Sequence, residues 1–460
     1  MRIGLFLFIV ILSGFSLSQD RKNIELLDNW QNPSLLSNSS NVKYNDCWGY
    51  TSNGVEYAIA GSTEGTHYFR ITPQYKFEEI DFVAGKFVSM SVVHRDLKVY
   101  QNYAYAVCDE GESSLQIIDL SFLPDSVHVV AENDTTFTRV HNIFIDEDNA
   151  LLYACSITPT TNGTMSSLIS MQVFSLANPE LPVLVYTGPN DISEVHDVYV
   201  RDNIAYLNCG FDGLRVFDFN NPASPVFLQN ITVYQEQGYN HQGWLSPDGK
   251  TYVFGDETGS KKLKKCAIDS NHEVQIKSYF GTNTEDNSVP HNIVITNEFA
   301  FVAYYNVGLR IYDIRPRVPI EIAHYDTYPV ESFFNMNGAW GIFADYPSGN
   351  LLVSDRHYGL FLFDFNRSVF STTLLDHTNL FPSPVEKGGE ITIRMKDIIG
   401  DFTIDIYDLN GKVISKEPIV LSASYAIIKA PESAGIYSAV ISYYDSQGEL
   451  VRINKRIMVD

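Results

Sequence analysis

One short segment, opening with histidine, recurs along this chain and limits its fold more than any other feature. It reads His94-Arg-Asp-Leu-Lys-Val, His141-Asn-Ile-Phe-Ile, His196-Asp-Val-Tyr-Val, His241-Gln-Gly-Trp-Leu and His291-Asn-Ile-Val-Ile. A turn signal follows each copy, such as Asp202-Asn203 or Pro247-Asp-Gly249, and then a second apolar run rich in Tyr and Phe. A third run keeps the spacing Leu-x-x-x-Asp, from Leu115 to Asp119, Leu214 to Asp218, Leu309 to Asp313 and Leu360 to Asp364. A fourth extended segment leads to the next copy.

Two further copies lack the histidine. Asn45-Asp-Cys-Trp48 and Asn337-Gly-Ala-Trp340 align with His241-Gln-Gly-Trp244. The repeat then starts at 45, 94, 141, 196, 241, 291 and 337, at spacings of 49, 47, 55, 45, 50 and 46 residues. Four short strands per period, rich in aromatic and β-branched residues and free of helical periodicity, predict an all-β chain. Seven such units predict a seven-bladed β-propeller over residues 19–366. The last unit holds only three strands before Phe365, so its fourth is expected from a strand at 23–30. That pairing would join the chain ends and remove an exposed sheet edge.

The ends read differently. Met1-Arg2, the apolar run Ile3–Leu12 and Ser16-Leu17-Ser18 form a secretory signal over residues 1–18, with Gln19 starting the mature chain. No other run is long and apolar enough to predict a transmembrane span. Past a polar linker at 367–376, residues 377–460 show short alternating strands, the pattern of a small β-sandwich. The tail carries 9 basic and 11 acidic side chains, whereas the whole chain carries 32 and 55, a net charge of −23. The acidity therefore sits in the repeats. Such a surface repels polyanions, which argues against nucleic acid and leaves cations, glycans and other proteins as partners. Five widely spaced cysteines, without a C-x-x-C pair, read as small buried hydrophobes.

Two resemblances cover nearly all of the mature chain. The tail resembles the type IX secretion sorting domain of Bacteroidetes through Asn379-Leu-Phe-Pro-Ser-Pro384, Ile406-Tyr-Asp-Leu-Asn-Gly-Lys412, Gly435-Ile-Tyr437 and its basic-then-apolar end. Ser383 departs from that pattern, which usually has Asn before Pro. The resemblance implies Sec passage, then export by the type IX machinery to the medium or outer-membrane surface. The repeats resemble the choice-of-anchor B family, built of LVIVD-type repeats, through Asn45–Tyr50, Tyr57–Thr63, His94–Asp96, His241–Trp244, Gly255–Glu257 and Ser354-Asp355 with Gly359-Leu360. This implies the propeller fold and no particular chemistry.

A propeller's first strands line its channel and begin on one face, and the loops between second and third strands open there too. That would gather Asn45, His94, His141, His196, His241, His291 and Asn337 in one ring. Asp109-Glu110, Asp212, Asp256, Glu257 and Asp355 would lie near its rim, with Asp96 and Asp197 breaking the sevenfold equivalence. The five histidines are the candidate ligands of a divalent metal, the only cofactor the sequence suggests. They serve equally well as hydrogen-bonded braces. Trp48, Trp244 and Trp340, at one offset, either fill the spaces between blades or stack a sugar. No nucleophile triad, H-E-x-x-H, Walker loop or dinucleotide motif is present. The leading expectation is an exported propeller binding a protein, glycan or cation at its channel mouth. The alternative is a metal-dependent hydrolase or lyase using the ring.

Overall fold

The computed structural model describes residues 20–133, 137–161, 164–165, 167–282, 287–330, 336–365, 378–381, 384–395, 401–408, 411–420, 425–444 and 450–460. The signal segment, the linker and Ser383 lie outside them. Every main element is a strand, and the strands between Tyr44 and Asp364 form repeated four-stranded antiparallel sheets in a propeller-like array. Among the described residues the array holds six four-stranded sheets and one of five, the sheet of Ile293–Ile295, which Arg21–Lys22 extends. Their inner strands are Tyr44–Ser52, Arg95–Tyr100, Arg139–Asp146, Asp197–Arg201, Asn240–Leu245, Ile293–Ile295 and Ala339–Phe343. Each packs against the next, and the last packs against the first.

Burial explains why these sequences make sheets of this kind. The second strands, such as Tyr103–Cys108, Leu151–Thr158 and Phe299–Ala303, are buried almost throughout, because neighbouring sheets cover both faces. Strands covered on both faces carry unbroken apolar runs rather than alternation. The outer strands differ: Val226 and Phe227 in the strand Val226–Ile231 are exposed. All five cysteines are buried and unpaired.

The sheet that ends the array is completed from the other end of the chain. Its strands Ala339–Phe343, Leu351–Asp355 and Gly359–Asp364 are joined by Glu25–Trp30, paired in the register Glu25↔Asp364 to Trp30↔Leu360. Two details show that this strand takes the place the fourth strand holds elsewhere. Every pairing of third with fourth strand carries a register shift, and the same shift falls between Leu26 and Asp28. Gly213, Gly308 and Gly359 open their third strands at φ of +82°, +75° and +82°. A side chain there would strike the carbonyl of Ile231, Tyr325 or, in the last sheet, Trp30. The strand is shorter than the expected 23–30, and a separate strand precedes it. Arg21–Lys22 pairs with Ile320–Tyr325 of the preceding sheet, so the N-terminal segment ties two sheets together.

In the tail, Thr378–Phe381, Glu390–Met395 and Tyr425–Lys429 form one sheet, and Val413–Val420, Asp401–Tyr407, Gly435–Tyr444 and Leu450–Val459 form another. Ile391, Ile393 and Ile428 of the first share an apolar cluster with Ile404, Ile441 and Ile457 of the second. No helix among the described residues is long and apolar enough to cross a membrane.

Removing residues 19–32 should uncover the edge of the last sheet and produce a lower unfolding midpoint with aggregation. Trp30→Ala, which strips ring contacts with Tyr44, His67 and Phe69, should cost about 2–3 kcal/mol in chemical denaturation. An unchanged melting curve for the truncated protein would show that the array does not depend on this strand.

Candidate functional site

The channel is built in three tiers, set by position along the inner strands. At the first, side chains from six sheets close into a ring. Centroid distances are 5.3 Å for His94–His141, 4.4 Å for His141–His196, 4.2 Å for His196–His241 and 4.4 Å for His241–His291. The ring is then completed by an indole, with His291–Trp340 at 4.1 Å and Trp340–His94 at 5.4 Å. Trp340 therefore stands where a sixth imidazole would, and not at the offset of Trp48 and Trp244. It occupies the strand position of His241: Ala339 pairs with Asp355 as Asn240 pairs with Asp256, and a one-residue shift follows in both strands, which puts Phe343 where Trp244 lies. Asn337 falls outside the ring, where its amide donates to Tyr328 Oη at 3.3 Å. Asn45 also stays out of the ring: its amide is buried near Gly61 and Arg95, with neither polar atom hydrogen-bonded.

Two electrostatic halves divide the ring. On one side, His94 Nδ1 meets Glu110 Oε1 at 2.6 Å, and His141 Nδ1 meets Asp109 Oδ2 at 2.9 Å. Burial works against charge on His141, but the hydrogen bond and charge of Asp109 outweigh it and raise its pKa. Asp109 is correspondingly lowered, although its own burial pulls the other way. On the other side, burial and neighbouring imidazoles hold His196 and His291 well below the ordinary value. Burial brings His241 down to about 4. These three are neutral at pH 7. His196 Nδ1 and His291 Nδ1 donate to the carbonyls of His241 and Trp340, at 3.0 and 2.8 Å, which leaves each Nε2 as a lone-pair donor.

A carboxylate completes a ligand set on the neutral side. Glu257 places Oε2 4.0 Å from His241 Nε2 and Oε1 4.0 Å from His291 Nε2, while Tyr305 Oη donates to Oε1. His241, Glu257 and His291 form a cluster able to hold a divalent cation, with donor atoms all within 4.8 Å of one another. Two donors about 2.1 Å from one ion lie no more than about 4.2 Å apart, so little closing is required. The void inside the ring is about 20 Å³. That is room for a water or an ion and not for an organic ligand.

The other predicted site residues are distributed elsewhere. Asp256 is fully buried and locks a loop, accepting from Lys264 Nζ at 2.9 Å, Tyr234 Oη at 2.9 Å and Gly238 N at 2.6 Å. Asp355 accepts from Thr327 Oγ1 at 2.7 Å and from the His357 and Tyr358 amides, closing a turn. Asp212 accepts from Ser193 in a neighbouring loop. Asp96 and Asp197 form the second tier, below the ring. Lys98 Nζ donates to Asp96 Oδ1 at 2.7 Å and lies 3.8 Å from Asp46 Oδ2, and Asn142 donates to Asp197 Oδ2 at 3.1 Å. Burial drives Asp197 up to about 8 and raises Asp46 strongly. Trp48 and Trp244 belong to a third tier at the opposite end of the channel. Tyr239, edge-on to His196 at 5.3 Å, and Tyr305, tilted against His291 at 4.7 Å, were missed in the sequence reading.

Comparison with known proteins agrees with the repeat reading. Residues 94–123, 193–233 and 290–327 match the LVIVD repeat, three segments of this β-propeller chain. Comparison with curated proteins gives no match. Among solved structures, a protein from Lactobacillus plantarum aligns at a TM-score of 0.48 and 13% identity over 84% of this chain and 99% of its own. The computationally designed Ika8 protein aligns at 0.46 and 8% identity, over 75% and 99%. PorZ of Porphyromonas gingivalis, described as a surface component of the type IX secretion system, aligns at 0.45 and 13% identity over 90% of this chain. The chain spans 59% of the PorZ structure's length.

The His141–Asp109 pair makes stability depend on pH. Because His141 is raised above its unfolded pKa, its pairing with Asp109 stabilises fully below about pH 6.5, and that contribution fades as pH rises through the folded value. Asp109→Asn should therefore destabilise by about 1 kcal/mol more near pH 5.5 than near pH 8.5, measured by urea unfolding. Equal losses at both pH values would show that His141 is uncharged in the native protein.

Proposed function

We propose that this chain is an exported, seven-bladed binding propeller that holds a divalent cation in its histidine ring and carries a β-sandwich sorting tail. The observation behind the cation is the Glu257 carboxylate set between two imidazoles kept neutral by burial, beside a void of single-ion size. Neutral imidazole is the form that ligates, and Tyr305 supplies the outer-shell hydrogen bond that orients the carboxylate. Two nitrogens and a carboxylate suit zinc or manganese better than calcium. The bound cation would join loops of adjacent sheets at the mouth and present a positive centre on an otherwise acidic surface. The hydrolase or lyase reading needs space for a substrate beside the metal, and the ring gives it no support.

Metal analysis of the purified mature protein and thermal unfolding with added zinc or manganese test this reading. Stabilisation of about 2.7 kcal/mol is expected at a hundredfold excess over Kd, with loss of the effect in His291→Ala and Glu257→Gln. A protein that copurifies with no metal and whose melting no divalent cation shifts would leave the ring as a hydrogen-bonded brace.

The export reading rests on the signal segment and the motifs of residues 377–460, not on the fold. Deleting 377–460 should leave a folded propeller stranded in the periplasm of its host. A truncated protein that still reaches the medium, or that fails to fold, would refute the sorting role.

A further inference from the structure

Past the second tier the channel opens, at the far ends of the same inner strands, into a cavity of about 570 Å³. That volume falls within the roughly 300–1,000 Å³ of sites for small organic ligands. Two groups of aromatic rings form its walls. Phe144, Tyr199 and Trp244 stand together on one side, with centroids 5.2 Å apart for Phe144–Tyr199 and 4.8 Å for Tyr199–Trp244. Trp48 and Phe343, 5.3 Å apart, come from the first and last sheets across the channel. The rim is polar, with Gln101, Glu147, Arg201 and Asp345.

The charges narrow the class of ligand. A polyanion would meet the rim carboxylates on a chain of net charge −23. It would find no free cation below, because Lys98 Nζ is already bonded to Asp96 Oδ1 and to the Leu97 carbonyl. A cation would be opposed as well: that ammonium lies over the Trp48 ring at 4.5 Å, and Arg201 shares the rim. Gln101 and Arg201 donate to Tyr100 Oη and the Ser246 carbonyl, and a wholly apolar ligand would cover the Glu147 and Asp345 carboxylates without offering them a donor. What remains is a neutral molecule with flat C–H faces and hydroxyls at its edges.

We propose that this chamber binds the end of a neutral oligosaccharide, with sugar rings lying against Trp48 and Trp244 and hydroxyls reaching the polar rim. The site is separate from the cation in the ring, because the Lys98–Asp96–Asp197 tier stands between them. Each can be tested without the other.

The test uses the full mature chain with cellotriose, maltotriose and chitotriose as probes, read by tryptophan fluorescence and by saturation-transfer NMR. At least one trisaccharide should give a saturable signal at up to millimolar concentration. Trp244→Ala should weaken it by roughly tenfold, whereas Trp244→Phe, which keeps a ring, should retain most of it. Val233→Ser, at an exposed surface position, should change nothing. If Trp244→Ala does not fold, Thr51→Trp at the chamber wall should occlude the site and abolish the signal. The proposal is overturned if none of the three sugars binds, if tetramethylammonium binds in their place, or if binding survives both Trp244→Ala and Thr51→Trp.

Discussion

The second strand of each sheet in the repeats is buried on both faces, and that single constraint dictates the rest. A sheet of this kind cannot end an array, since its last face would lie open to water at about 25 cal/mol for every Å² exposed. A linear stack would fail at both ends. Closing the array on itself covers every face, and the chain does so by lending Glu25–Trp30 to the sheet that finishes at Asp364. The recurring register shift and the glycine beneath the fourth-strand carbonyl show that the borrowed strand meets the same steric terms as the covalently continuous ones.

Closure brings one position of every inner strand to the axis, where polar side chains are crowded with little water. Desolvation decides their charge states. Where a carboxylate stands within hydrogen-bond reach, as Asp109 does for His141, the imidazole's pKa is raised. Where burial and neighbouring imidazoles prevail, as at His196 and His291, it is pushed well below the ordinary value. One repeated residue type thus acquires two chemical characters within a single ring, which is why a donor set for a cation arises on one side only.

Much of the architecture was legible in the sequence because the repeat is stated several times over, in the His-opened strand and the Leu-x-x-x-Asp spacing. The ring was legible only where its residues were identical. Trp340 was misplaced because Asn337-Gly-Ala-Trp340 imitates His241-Gln-Gly-Trp244 in spelling, while the strand pairing matches Trp340 itself with His241 and Phe343 with Trp244. Asp256 and Asp355 looked like rim ligands because loops and sites use the same acidic residues, and only the buried partners Lys264 and Thr327 separate the two roles. The aromatic chamber left a signal that was not assembled. Trp48, Phe144, Tyr199 and Trp244 each lie three residues beyond Asn45, His141, His196 and His241.

The clasp also bears on how this protein would respond to mechanical force. Gly359–Asp364, from which the tail departs, is not an edge strand: Leu351–Asp355 flanks it on one side and Glu25–Trp30 on the other. A pull on the chain beyond Phe365 therefore strains two hydrogen-bonded ladders at once, instead of peeling one strand from a free margin. An array that borrowed no strand would begin to unravel from that point. Here that strand is held by the beginning of the chain, so tension on the C-terminal side is shared with the N-terminal side before any sheet opens.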